Sequence, residues 1–231
     1  MKKIIFLLSI TTLLFTSCGT TSKVPKSTAY KGMYNEQPLT ILLMPPINRS
    51  TNVESKEYFH STLNVPLANA GFYVIPPFLS MDILKKESAY DSEMFLNAPL
   101  HKFQEVFGAD LAIFTIINKW DKSSLGSNVK VQVEYIIKST KTNEILYTRK
   151  GEVNYDTSIS TGAGGVFGLV ADLALSALNT AATKYVSVAR TCNQYTFEDL
   201  PAGKYSPNYN IDGDAFSGPQ EFTVRLNQNY K

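Results

Sequence analysis

Two short apolar runs end in a pair of prolines, and that punctuation constrains the fold more than any other feature of the chain. Ile41 to Met44 stops at Pro45-Pro46, and Phe72 to Ile75 stops at Pro76-Pro77. Four apolar residues suffice for a buried strand but not for a helix. Proline has no N–H to continue a ladder, so each strand must leave the sheet where its prolines begin. Leu111 to Ile117 is a third run of the same kind. Between the strands, Ser55 to Ala70 places Tyr58, Phe59, Leu63, Leu67 and Ala70 at helical spacing, closed by Gly71. Pro66 predicts a kink or a split in that helix. Leu79 to Lys86 and Leu100 to Phe107 predict two shorter helices.

The pattern then changes. Val129, Val131, Val133, Tyr135 and Ile137 alternate with mostly polar residues, the period of a half-buried strand. Thr140 to Glu144 reads as a turn, and Ile145 to Tyr155 as the partner of an antiparallel hairpin. Strand, helix, strand, helix, strand and hairpin predict an α/β fold with a single mixed sheet. A Gly- and Ser-rich stretch, Thr157 to Gly168, leads into a long helix from about Val166 to Ala189. Asp172, Ser176, Asn179, Thr183 and Ser187 give that helix a narrow polar stripe. From Pro201 to Lys231 the chain is polar, and only Phe222 to Leu226 could form a strand. An extended, partly mobile tail is expected there.

The amino terminus says where the chain goes. Lys2 and Lys3 precede Ile4 to Phe15, an apolar stretch broken only by Ser9, Thr11 and Thr12. It is too short for a bilayer span of roughly 20 residues and suits a cleaved signal. Thr16-Ser17-Cys18 ends it as a bacterial lipobox does, which predicts cleavage before Cys18 and acylation of its thiol. Phe15 stands where Leu or Val is usual. Two or more acyl chains anchor a protein stably without a spanning helix. Gly19 rather than Asp after Cys18 points to the outer membrane, and to its periplasmic leaflet. The expected division is signal 1–17, lipidated tether 18–38, α/β domain 39–200 and tail 201–231. As a flexible coil the tether would span roughly 25 Å, and fully stretched about 70 Å.

Chemistry is sparse. The formal charge of +2 includes Lys2 and Lys3, so the mature chain is neutral and no nucleic-acid partner is expected. Gly162-Ala163-Gly164-Gly165-Val166-Phe167-Gly168 fails the dinucleotide fingerprint, because Phe167 holds the sixth position. Gly162 to Ala182 carries one charge, Asp172, and has the length of a span, but its polar stripe favours a core or interface helix. Its small residues, Ala171, Ala174, Ala177 and Ala181, allow close approach of another backbone. His60, with Glu57 and Glu54 behind it, has no second histidine nearby, and His101 stands alone, so neither predicts a zinc site. Asn48-Arg49-Ser50 fits a glycosylation sequon in a chain that otherwise reads as bacterial. No GxSxG elbow occurs, and Cys192 lies beyond the long helix as a buried, inert thiol. No enzyme and no cofactor are expected, apart from covalent lipid on Cys18. The polar stretch Asn48 to Asn52 leaves two readings open. Asn48, Arg49 and Asn52 could line a pocket beyond the strand ends, near Pro76 to Leu79, or could simply form a turn.

Several ordered blocks resemble a known family. Ile41-Leu42-Leu43-Met44-Pro45-Pro46-Ile47-Asn48-Arg49-Ser50 resembles the opening strand of the GNA-type bacterial lipoproteins, a family of undefined function. Pro66-Leu67-Ala68, Gly71-Phe72-Tyr73-Val74-Ile75-Pro76, Phe107-Gly108-Ala109-Asp110 and Thr142-Asn143-Glu144-Ile145-Leu146 follow in that family's order, although relatives tend to carry Gly in the last turn. The resemblance covers about Leu39 to Leu200. More distantly the plan is similar to the amino-terminal domain of TolB and to the curli-secretion lipoprotein CsgG. The resemblance implies a structural or interaction module of an envelope assembly, partnered by its own kind or by another envelope lipoprotein of CsgG type. It transfers no catalytic residue. A periplasmic small-ligand-binding module is the second expectation.

Overall fold

The computed structural model describes residues 23–123, 128–157, 181–227 and 229–230. Cys18, the glycine cluster and most of the predicted small-residue helix lie outside the described residues. Helices α1 (Lys26–Ala29) and α2 (Lys31–Glu36) open the described chain. Strand β1 (Thr40–Leu43), β2 (Ile47–Asn48), α3 (Ser55–Asn69), β3 (Tyr73–Val74) and α4 (Pro77–Lys86) follow. A 3-10 turn (Ser92–Phe95) and α5 (His101–Phe107) lead to β4 (Leu111–Lys122), β5 (Asn128–Ser139) and β6 (Ile145–Asp156). Helix α6, described over Ala181–Phe197, and β7 (Glu221–Asn227) complete the order.

The strands form one mixed sheet of seven in the order β3-β1-β4-β5-β6-β7, with β2 also on β4. β1 runs parallel to β3 and β4, the hairpin strands are antiparallel, and β7 returns parallel to β6. The α/β fold read from the sequence is this sheet. Its two faces explain the two kinds of pattern. Ile41, Leu43, Leu111, Ile113 and Ile117 join a core under α3 and α6. Leu42, Met44, Ala112 and Phe114 join a second core with Leu84, Leu100 and Phe103 of the α4–α5 side. Strands covered on both faces must be apolar throughout. β5 is covered on one face over most of its length: Val129, Val131, Val133 and Tyr135 are buried, whereas Lys130, Gln132 and Glu134 alternate with them half-buried.

Four expectations need correction. Helix α3 is not split at Pro66: the proline removes only its own amide bond to the preceding turn, and the Ala70 amide still reaches the Pro66 carbonyl (2.9 Å). Helix α6 continues past Ala189 to Phe197 and contains Cys192. Thr191, Asn193 and Thr196 are buried there. Asn193 accepts from the Tyr135 hydroxyl and donates to Thr62 Oγ1 (2.8 Å) and the Phe59 carbonyl (3.2 Å), pinning α6 to α3 and β5. The segment read as the end of a tether contains α1 and α2, with Tyr30 and Met33 buried in the main core. The segment read as a tail is built of turns that pack on α1 and then adds β7 to the sheet.

Local conformations follow residue type. Asn143 takes φ 65° in the β5–β6 turn, where the left-handed region suits asparagine as it suits glycine. Glu36 of α2 accepts from Ser139 (2.7 Å) and Thr142 (2.9 Å) and ties that turn down.

Candidate functional site

Asn48, Arg49 and Asn52 sit together at and just past the end of β2. The Asn48 carboxamide is consumed by its own loop: Nδ2 donates to the Asn52 carbonyl (2.7 Å), and Oδ1 accepts from the Ser50 amide (2.9 Å) and hydroxyl (2.7 Å). Arg49 donates its amide to Ile117 (2.8 Å), and its guanidinium meets Glu93 at 2.5 Å on an exposed surface. These three residues thus form a satisfied Asx-type turn that closes the end of β2. Of the two readings of Asn48 to Asn52, the geometry is that of the turn.

Another polar cluster joins the two ends of the described chain. Asp199, just after α6, accepts from the Tyr30 hydroxyl and from the Gly218 amide (2.6 Å). Asp212 accepts from Tyr34 (3.0 Å) and the Ala202 amide (2.9 Å), with Lys26 Nζ at 3.9 Å. Backbone bonds run alongside: Lys26 to Ala215 (2.8 Å), Ser27 to Gly213 (3.0 Å) and Ser217 to Val24 (2.8 Å). Burial, then the bond to Asp199, pushes the Tyr30 phenol up well above its usual range, and burial with Asp212 does the same for Tyr34. Both phenols stay protonated and donating. We refer to this arrangement as the clasp.

Beside the clasp lies a cleft of about 500 Å³ between the ends of α3 and α6, lined among others by Lys26, Asn69, Gln194, Glu198 and Asp212. Lys26 is 9% exposed, and its ammonium has the Leu200 carbonyl at 3.4 Å. The cleft is remote in sequence from Asn48 to Asn52, and sequence reasoning missed it. Arg149 was missed too. It is buried, donates to the Tyr195 (3.1 Å), Thr196 (2.7 Å) and Pro219 (3.2 Å) carbonyls, and stacks its guanidinium 4.6 Å from the centre of the Phe222 ring. A cation there satisfies the carbonyls that end α6. The available signal was its place in the inward-facing series Tyr147, Arg149, Gly151, Val153, Tyr155.

The sheet also offers an open edge. β3 ends the sheet; its Tyr73 is 50% exposed, and Phe78 (91%) and Leu79 (56%) are exposed in the first turn of α4, which follows. Tyr73 and Ile75 donate their amides to the β1 side, so in a parallel ladder the intervening Val74 amide faces outward. Large apolar side chains beside an unpaired edge are what a strand-adding partner uses.

Burial shifts several titratable side chains. Burial pushes the Cys192 thiol up far above its ordinary value. Burial, followed by the bond to Glu54, pushes Tyr58 up to about 12. His60 lies on α3, partly buried, and burial lowers its imidazole below the usual range. His101 begins α5. Among the described residues no three His, Cys, Asp or Glu side chains converge as metal ligands, and no helix is long and apolar enough to cross a membrane.

Comparison with known proteins gives a consistent match. The family described as "Putative lipoprotein GNA1162-like" matches residues 28–203. The "Putative lipoprotein NMB1124/NMB1162" of Neisseria meningitidis serogroup B is 23% identical over 94 residues, which make up 41% of this chain and 44% of that protein. The chain therefore matches less than half the length of that curated relative. Among solved structures, lipoprotein GNA1162 from Neisseria meningitidis superposes with a TM-score of 0.48 at 20% identity, covering 63% of this chain and 99% of that one. A point variant of the PelC dodecamer from Paraburkholderia phytofirmans gives 0.44 at 10% identity, over 72% of this chain and 91% of that one. The LpoB C-terminal domain from Escherichia coli gives 0.38 at 14% identity, over 55% and 94%.

Proposed function

The chain belongs to the GNA1162-like lipoprotein family, and from that premise we propose that it is an outer-membrane lipoprotein, anchored through acylated Cys18, whose domain works by protein contact in an envelope assembly. The observation that carries this reading is the outer edge of β3, with exposed Tyr73 on the strand and exposed Phe78 and Leu79 at the start of the helix that follows it. The partner proposed is a second copy or another envelope lipoprotein. Catalysis forms no part of the proposal. Support for that comes from the deep burial of the Cys192 thiol and from the use of Asn48, Asp199 and Asp212 in structural bonds.

A photo-crosslinking side chain at Phe78, in cells, tests the contact. A covalent adduct to a second copy or to another lipoprotein is the expected result. The absence of any protein adduct at Phe78 and at Tyr73 would overturn it. The cleft favours a second reading, a small-ligand module, at Lys26 and Asp212 rather than at Asn48 to Asn52. Envelope metabolites that raise the melting temperature of the wild type, but not of Lys26→Met, would support that reading.

A further inference from the structure

The clasp shortens the tether. From Val24 onward the chain is fastened: the Val24 carbonyl accepts from the Ser217 amide (2.8 Å) and hydroxyl (3.0 Å), and Pro25 forms an antiparallel bridge with Phe216. Lys23 immediately precedes these fastened residues. Cys18 precedes it by five positions. Five residues reach at most about 17 Å when fully extended, against the roughly 70 Å of a tether running to Pro38. The headgroup layer alone takes up roughly 5 to 8 Å on each side of a bilayer. With lipid on Cys18, as proposed above, the surface around Lys23 stays within about 10 Å of the membrane.

That surface has suitable chemistry. Phe216 is 57% exposed although its backbone is paired, and the Lys23 ammonium lies 5.3 Å from the centre of its ring. Ile211, 72% exposed, belongs to the same turn-rich segment. A single exposed apolar residue is ordinary on a protein surface. What distinguishes Phe216 is its place beside the point where the anchor chain joins the fold. Phenylalanine is among the apolar residues that membrane-surface elements bury at the boundary of headgroups and acyl chains, and a neighbouring ammonium can face lipid phosphate. Asp214, exposed on the same segment, offsets part of the positive charge, so the ring rather than a basic cluster makes the contact.

We propose that Lys23 and Phe216 form the surface on which the lipid-anchored domain rests against the bilayer, with the Phe216 ring in the headgroup layer. The inference rests on the lipoprotein reading above, and its test separates the two. Full-length lipoprotein carrying Phe216→Trp is reconstituted into vesicles of phosphatidylethanolamine and phosphatidylglycerol, with the constant signal of buried Trp120 subtracted using the unsubstituted protein. The expected result is a blue-shifted indole emission that is quenched when the acyl chains are brominated. Protein that fails to float with the vesicles removes the lipid anchor, and the inference with it. Protein that floats but shows a water-exposed, unquenched indole overturns the membrane contact alone. Lys23→Cys carrying an environment-sensitive dye reads the same two outcomes from a side chain that only lies over a ring, so a folding defect at 216 does not void the test. Cys192 is buried and takes no dye.

Discussion

The Tyr30 hydroxyl donates to Asp199 across 169 positions of sequence, and the same carboxylate accepts from the Gly218 amide. One side chain therefore joins the amino-terminal helical segment, the end of α6 and the carboxy-terminal segment. The fold is closed by these segments rather than trailed by them.

Alkaline pH should open it. Tyr30, Tyr135 and Tyr147 are raised by burial above their ordinary value of 10.0, and Tyr58 is raised to about 12. A phenol with a higher pKa folded than unfolded binds more protons in the folded state. Its contribution is complete below pH 10 and is lost as pH rises from there, at up to about 1.4 kcal/mol per pH unit for each buried phenol. Urea midpoints should hold steady from about pH 7 to 9 and fall steeply by about pH 11. An unchanged midpoint would show that these phenols ionise in place.

Asp212→Ala should release the clasp before it unfolds the domain. The substitution removes the acceptor of Tyr34 and of the Ala202 amide, at about 1.5 to 3 kcal/mol per bond to the charged group. Trypsin should then cut after Lys26 and Lys31 much faster than in the wild type, while circular dichroism changes little. Mass spectrometry of the early fragments would reveal the cuts.

Gly203→Ala should be among the costlier small substitutions. Gly71 takes φ +96°, and a Cβ on Gly203 would run into the Gly71 carbonyl and approach the Phe72 ring to 3.1 Å. The two glycines bring the end of α3 against the chain that follows α6, where the Gly203 amide donates to the Ala70 carbonyl at 2.7 Å. Overpacking at a backbone contact costs about 1 to 3 kcal/mol. Chemical denaturation of the variant against wild type would measure the loss.

Cys192 should be silent in the native state. It is buried, and burial holds the thiol protonated. The thiolate is the reactive form, so an aromatic disulfide reagent should react only at the rate of unfolding. Fast modification in native buffer would contradict the burial, and a denaturant series would show the reaction rising with the unfolded fraction.

Much of the sheet was legible in the residue pattern. Strands covered on both faces are apolar throughout, strands covered on one face alternate, and proline pairs end what they follow, so β1, β3, β4 and the hairpin stood out. The clasp did not. Residues 23–36 and 201–220 are polar, yet Lys26, Tyr30, Tyr34, Asp212 and Ser217 bond within the fold, and in sequence they resemble chain that bonds to water. For a similar reason residue type alone left Asn48 to Asn52 open between a pocket and a turn. Asn48 and Asn52 are as polar as ligand-binding groups, but they bond to each other within the turn.

The sequence by itself determined the strand pattern and the family blocks, because both are local and depend on residue type and spacing. Only the tertiary structure decided that residues 24–36 and 201–220 belong to the folded domain. That outcome depends on Tyr30 meeting Asp199 and Val24 meeting Ser217, pairings between distant residues that no local pattern records.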